Sequence, residues 1–388
     1  MSTGNFLSMI QPSYQPENRP SRTTGVDSWS RVTKPTGNMD TPFVERICAR
    51  RRVLETGPAM ALRLPVTVKD LPEERVQERE AQGLSPQQRL VYTEPGDVLL
   101  PEPYKRVAEK LYNFEYRSDD LVVTTYPKSG TLWTTELVWA MTHLDQFQLP
   151  QKENTNDRVF VIDDDFLDMV HIEKAKERLA EQRPDASPED GVTQQLAEAA
   201  TTPRIIWTHL PLRLLHPGLL DTCRVVYVAR NPKDVCVSYY HFLKKLKGRF
   251  FTGTFEGAVD AFIKDNLFYG PYWDHIRQAR RHKDHPNFHM MFYEDMKSNI
   301  LEELRKLSTF LGLQLDDDML LKISEYAQFD RMKADSAKRT KLLHFEGNHC
   351  RKGRVGDWAA IATPEMDVKM ERWIRDNSHD LDFAFRYN

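Results

Sequence analysis

The stretch LVVTTYPKSGTLW, Leu121 to Trp133, decides the reading of this chain. Leu121 to Tyr126 is rich in β-branched residues and reads as a strand. Pro127 to Gly130 is a turn, and beyond it Trp133, Leu137, Met141 and Leu144 recur at helical spacing. A strand that runs through a turn into a helix offers backbone N–H groups to an anion. Lys128 adds a point charge there, and Gly130 lets the backbone approach a ligand closely. The same residues also suit an ordinary turn carrying an exposed lysine. This is not a Walker A loop, because no G-x-x-x-x-G-K-[ST] occurs and Lys128 precedes Gly130.

Working outward, short β-rich runs alternate with helical ones. Arg204 to Leu210 and Arg224 to Ala229 read as strands, as does Phe288 to Tyr293. Asn231-Pro232 supplies an N-cap and a proline at the first helical position. Ser298 can cap a helix that ends near Gly312. Strands separated by helices imply right-handed crossovers. The fold class is therefore α/β: a single domain with a central parallel sheet flanked by helices and a P-loop-like strand-turn-helix. Ligands of such sheets bind at the carboxyl ends of the strands. Residues 1–45 lack an apolar period and read as a disordered tail, which leaves 46–388 as the folded domain. The stretch 63–103 reads as a surface wrap without a core of its own. The polar stretch 173–195 reads as a helical or loop insertion.

The chain has 388 residues with 54 Lys and Arg against 57 Asp and Glu, a formal net charge of −3. That balance argues against nucleic acid as a partner, which needs a basic excess. It leaves room for a small basic pocket. The four cysteines (Cys48, Cys223, Cys236, Cys350) form no metal-ligand spacing and no disulfide framework, so no metal is expected. No secretory signal, membrane-length apolar run or N-x-[ST] sequon is present, and the cytosol is the expected compartment.

Three further groups carry candidate chemistry. Arg230 ends a strand, and Ser238 lies two helical turns past Asn231, so both could grip one anion. An Arg230–Asp234 ion pair is the plainer alternative. His209 ends another strand in WTHLP and has the intrinsic basicity to take a proton from a hydroxyl. A structural histidine is the plainer alternative there. Arg351, Lys352 and Gly353 in CRKGRVGDW suit a phosphate or a solvated loop.

In this order the segments resemble the cytosolic sulfotransferase family. The matching motifs are TYPKSGTLW at 125–133, THLP at 208–211, RNPKDVCVSYYHF at 230–242, YEDMK at 293–297 and RKGRVGDW at 351–358. The resemblance covers about residues 105–358. It identifies the chain as an invertebrate-like member with an N-terminal extension. It implies transfer of a sulfonyl group from 3′-phosphoadenosine-5′-phosphosulfate (PAPS) to a hydroxyl, leaving PAP and needing no metal. It further implies that Lys128, Ser129, Gly130, Thr131 and Leu132 hold the 5′-phosphosulfate. Arg230, Ser238, Arg351, Lys352 and Gly353 would hold the 3′-phosphate. Trp133 would stack on adenine near Tyr293, Phe329 and Met332. His209 would act as general base, and Lys128 would stabilise the leaving group.

The chain departs from the family pattern in three places. Trp207 stands where the family places a lysine, Leu132 replaces a threonine, and Pro364 replaces a valine of the dimer motif. The family's dimer motif is therefore not intact, which leaves a homodimer as an open alternative. The aromatics Phe242, Phe250, Phe251, Phe268, Tyr269, Tyr272 and Trp273 imply a small hydrophobic acceptor such as a phenol, steroid or retinoid-like alcohol. They also suit a core. The Trp207 departure motivates a second reading, a PAPS- or PAP-binding protein with weak transfer. A P-loop nucleotide kinase is a third.

Overall fold

The computed structural model describes residues 61–148, 155–167, 172–201, 203–246, 250–340 and 351–387. The tail expected over 1–45 lies outside them, as do Cys48 and Cys350. Two sheets are present. The smaller is antiparallel, from β1 (Thr67–Asp70), β2 (Leu90–Glu94) and β3 (Leu99–Pro101). The larger holds β4 (Leu121–Thr125), β5 (Phe160–Val161), β6 (Ile205–Thr208), β7 (Arg224–Ala229) and β8 (Phe288–Phe292). Its order is β5-β6-β4-β7-β8, and every pairing is parallel.

The expected α/β architecture is therefore present, and its two faces follow from strand alternation. In β7, Val225, Tyr227 and Ala229 enter one buried apolar cluster while Val226 and Val228 enter the other. Val122 and Val123 of β4 divide the same way. A sheet buried on both faces needs near-continuous apolar strands, which is what the sequence supplies. At the amino ends of β4 and β6 a fully buried pair locks the sheet: Arg204 Nε donates to Asp120 Oδ1 at 2.7 Å.

Chain order reverses beside β4. From β4 the chain passes to β5 and β6 on one side and then to β7 and β8 on the other. This switch point opens a crevice at the carboxyl ends of β4 and β7. The segment after β4 and the residue after β7, Arg230, both lie there.

Several expectations are corrected at their edges. Strand β4 stops at Thr125, β6 spans only Ile205–Thr208, and Tyr293 opens a helix (Tyr293–Ser298) where the strand was expected to end. The cap of the Ile300–Phe310 helix is Asn299, whose side chain accepts from Glu302 N–H, and not Ser298, which still belongs to the preceding helix. The wrap expected over 63–103 forms β1–β3 and the Glu73–Ala81 helix. Its Leu84, Val91, Val98 and Leu100 join the main core, so it has no core of its own. The polar insertion becomes the Ile172–Gln182 and Val192–Ala199 helices.

Candidate active site

The turn after β4 is built on unusual backbone. Lys128 has φ +71° and Gly130 φ +113°. A non-glycine residue in the left-handed region marks a conformation fixed by its surroundings. Ser129 is fully buried and Thr131, 5% exposed, begins the Thr131–Thr142 helix. Thr131 Oγ1 and Thr125 Oγ1 share a hydrogen bond of 2.7 Å that ties the helix start to the strand end. Leu132 and Trp133, in the first turn, are half-buried. A Cβ on Gly130 would lie 2.8 Å from the Tyr293 ring, so this position admits only glycine without displacement.

Arg230 ties three segments together. Its guanidinium donates to the Lys128 carbonyl at 3.1 Å and to the Arg354 carbonyl at 3.1 Å. It lies 4.2 Å over the Tyr293 ring, which meets Trp133 edge-on at 5.6 Å. The plainer alternative is only weakly realised, since Asp234 is 3.7 Å away. Asp234 instead accepts from Gly356 N–H and from Asn231, anchoring the C-terminal loop on the Pro232–Lys245 helix. In that loop Arg351 and Lys352 both reach Asp357. Burial works to raise the Asp357 carboxyl, but those hydrogen bonds outweigh it and hold it low. Arg351 and Lys352 also act electrostatically on His241, one turn beyond the half-buried Ser238 on the same helix face. Gly353 has φ +63°, and a Cβ there would enter the Phe329 ring. Met332 lies one turn beyond Phe329 in the Phe329–Thr340 helix, half-buried.

His209 sits beside this cradle. Its Nδ1 lies 2.9 Å from the Thr125 carbonyl. A carbonyl only accepts, so Nδ1 carries the proton and Nε2 keeps its lone pair. Burial, together with the charge of Lys128 and the neighbouring His275, outweighs the Thr125 bond and pushes the imidazole down to about 3. The ring is therefore neutral near physiological pH. Tyr269 packs edge-on against it at 5.4 Å and Trp207 at 6.0 Å. The Trp207 indole N–H is buried without a hydrogen-bond partner.

Two aromatics of the expected acceptor cluster stay beside these groups: Tyr269 against His209, and Phe242, 4.3 Å below Lys128 Nζ. Tyr272 and Trp273 are core instead, and the Tyr272 hydroxyl donates to the Arg230 carbonyl at 2.5 Å. Phe251 is core as well. The sequence reading took Asn231 only as a helix cap and gave Glu294 no role. Glu294 accepts from both the backbone N–H and the side chain of Asn231, and burial raises its carboxyl to about 7. Only the position of Glu294 beside Tyr293 hinted at this.

Two buried donors in the cradle lack partners: the Ser129 hydroxyl and Arg230 Nε. Together with the two glycines that admit no Cβ, they fit a bound polyanion. Among the described residues no helix is long and apolar enough to cross a membrane.

The chain is similar to several known proteins. An amine sulfotransferase from Oryctolagus cuniculus is 32% identical over 289 residues, 72% of this chain and 87% of that protein. The luciferin sulfotransferase of Photinus pyralis is 29% identical over 70% of this chain and 75% of that protein. A retinol dehydratase structure with retinol and PAP superposes with a TM-score of 0.73 at 25% identity, over 84% of this chain and all of that one. The same enzyme with androsterone and PAP gives 0.72 over 84% of this chain and 99% of that one. The family model described as the sulfotransferase domain matches residues 118–382, a span that takes in the turn after β4, His209, Arg230 and the C-terminal loop alike; the chain belongs to the sulfotransferase family and is an enzyme of that class.

Proposed function

We propose that this enzyme transfers a sulfonyl group from PAPS to the hydroxyl of a small hydrophobic acceptor. The observation that carries the reading is Arg230, which holds the carbonyls of Lys128 and Arg354 while its Nε stays buried and unpartnered. When bound, PAPS supplies an activated sulfonyl group and two phosphate clusters. The N–H groups and hydroxyls of Ser129, Gly130, Thr131 and Leu132 take the 5′-phosphosulfate at a helix N-terminus. Arg230, Ser238, Arg351, Lys352 and Gly353 take the 3′-phosphate through charge-assisted bonds. Trp133, Tyr293, Phe329 and Met332 form the base-stacking side.

His209 Nε2 accepts the acceptor's proton. Its neutral state with Nδ1–H fixed on Thr125 leaves that lone pair available. Lys128 stabilises negative charge on the leaving oxygen. Phe242 and Tyr269 favour an apolar acceptor beside these two groups. The retinol and androsterone complexes of the similar retinol dehydratase support that class.

Trp207 favours the second reading, a PAP-binding protein with weak transfer, because removing one transition-state donor lowers rates by about 10²–10³. Transfer of labelled sulfonate to a phenol and steroid panel separates the two. The first reading expects turnover, lost in His209→Ala with bisphosphate binding kept. It is wrong if wild-type enzyme transfers only to polysaccharide or tyrosine peptides, or if His209→Ala turns over normally. Arg230→Ala is expected to weaken adenosine 3′,5′-bisphosphate binding at least tenfold, and wild-type affinity would remove Arg230 from the site.

A further inference from the structure

Residue 209 is held at three points, and the side chain on one of them has no role so far. Strand β5 pairs with β6 in parallel with Val161 opposite Trp207, and Ile162 N–H donates to the Trp207 carbonyl at 3.2 Å. Two residues further along each chain, Asp163 stands opposite His209. There the regular ladder stops, and a side chain continues it. Asp163 Oδ2 accepts the His209 backbone N–H at 2.7 Å, and Oδ1 accepts the Thr208 hydroxyl at 2.5 Å. Asp163 has no exposed surface. On the other side His275 Nε2–H donates to the His209 carbonyl at 3.0 Å, and Tyr227 O–H fixes that ring through Nδ1 at 2.7 Å. The backbone of His209 is thus gripped at both its N–H and its C=O by buried side chains, while its ring is set by Thr125.

We propose that Asp163 is a positioning residue for His209. Its carboxyl group replaces a strand carbonyl as the acceptor of one N–H, and so fixes where the imidazole is carried at the end of β6. The inference rests on the reading of His209 as the base. Geometry of this kind matters to rate because a misplacement of about 1 Å can cost about 10²-fold.

Asp163→Ala leaves the His209 N–H without an acceptor. Asp163→Asn can still accept it through Oδ1 while its amide donates to Thr208 Oγ1. We expect Asp163→Ala to lower kcat about 10²-fold, with the Kd for adenosine 3′,5′-bisphosphate within threefold of wild type, and Asp163→Asn to recover most of the rate. Imidazole nitrogen shifts of 15N-histidine-labelled protein supply a readout independent of turnover. Wild-type His209 should show a protonated Nδ1 and bare Nε2, and in Asp163→Ala the two shifts should converge as tautomers mix. Should Asp163→Ala not fold, Thr208→Val loosens the same carboxyl group and should lower kcat severalfold at unchanged bisphosphate Kd. The proposal is overturned by wild-type kcat in a folded Asp163→Ala or Thr208→Val variant, by parallel loss of bisphosphate binding, or by unchanged nitrogen shifts. Absence of sulfonyl transfer by wild-type enzyme would instead sink the functional reading, and the shifts would still decide the positioning role.

Discussion

Replacing Gly130 with alanine tests whether the turn after β4 is shaped by its contacts. Two costs add. The residue sits at φ +113°, ψ +17°, and holding a non-glycine residue in such a sparsely populated region costs on the order of 1–3 kcal/mol. The new Cβ would lie 2.8 Å from Tyr293 Cδ2, so the ring must swing. An off-rotamer ring costs about 0.5–1.5 kcal/mol. The sum is about 1.5–4.5 kcal/mol. For a domain of about 300 residues one kcal/mol moves Tm by roughly 1.6 °C, so Tm should fall by about 2–7 °C. Tyr293 cannot move alone, because Arg230 lies over it and Trp133 meets its edge. The displacement therefore reaches the groups proposed to bind the nucleotide, and the Kd for adenosine 3′,5′-bisphosphate by calorimetry should rise at least tenfold. Gly312→Ala is the control. It also has positive φ (+70°), but its Cβ would meet Arg224 only at 3.6 Å, at the opposite end of β7. It should lower Tm with unchanged Kd. A Gly130→Ala protein with wild-type Tm and Kd would refute the argument, as would equal Kd losses in both variants.

Other consequences are as direct. Because the His209 imidazole is held near 3, its base form persists far below the ordinary histidine range of about 6.5. An NMR titration should show the His209 imidazole neutral down to about pH 5, and a His209 midpoint near 6.5 would contradict this. Bound bisphosphate opposes the Lys128 charge and should raise the His209 midpoint in an NMR titration; a downward shift would count against their proximity. Arg204→Met strands a fully buried Asp120 and should cost about 3–5 kcal/mol in denaturant unfolding. A loss under 1 kcal/mol would mean that the pair does not lock the sheet. Gly353→Ala drives a Cβ into Phe329 and should weaken bisphosphate binding, which equilibrium titration would show; unchanged affinity would remove the Phe329 contact from the site.

The core strands and the cradle were legible because their signals are local. β4, its turn and the following helix lie within one short run, and Asn231 caps its helix three residues from the N–H it accepts. The small sheet was not legible: β1 reads TVKD, largely exposed, and gains its strand character only from pairing with β2. Ser298 and Asn299 are both good caps, and only the helix ending at Ser298 decides between them. The aromatic cluster divided because burial is tertiary. Tyr269 and Tyr272 are three residues apart, yet one faces His209 and the other bonds the Arg230 carbonyl. Asp163 and His275 escaped notice for the same reason. They reach residue 209 across 46 and 66 positions, a contact that depends on strand register and not on spacing.

A chain of net charge −3 still concentrates cations where its sheet opens. Lys128, Arg230, Arg351 and Lys352 come from three distant segments, and the carboxylates nearest them are few. Asp234 is shared with Asn231 and Gly356, and Asp357 is shared between Arg351 and Lys352. Glu294, raised to about 7 by burial, carries only part of a negative charge at neutral pH. Elsewhere the charges cancel locally: Arg277 with Asp380, and Arg280 and Lys283 with Asp382. The wall of a low-dielectric crevice focuses the field of such cations toward an anion entering it. A ligand with separated negative groups can engage Lys128 at the turn with one of them, while the other meets Arg230 and competes with Asp357 for Arg351 and Lys352. In the proposed site a single phosphate would satisfy only one of these clusters, so a doubly phosphorylated nucleotide is expected to bind more tightly than a simple phosphate ester.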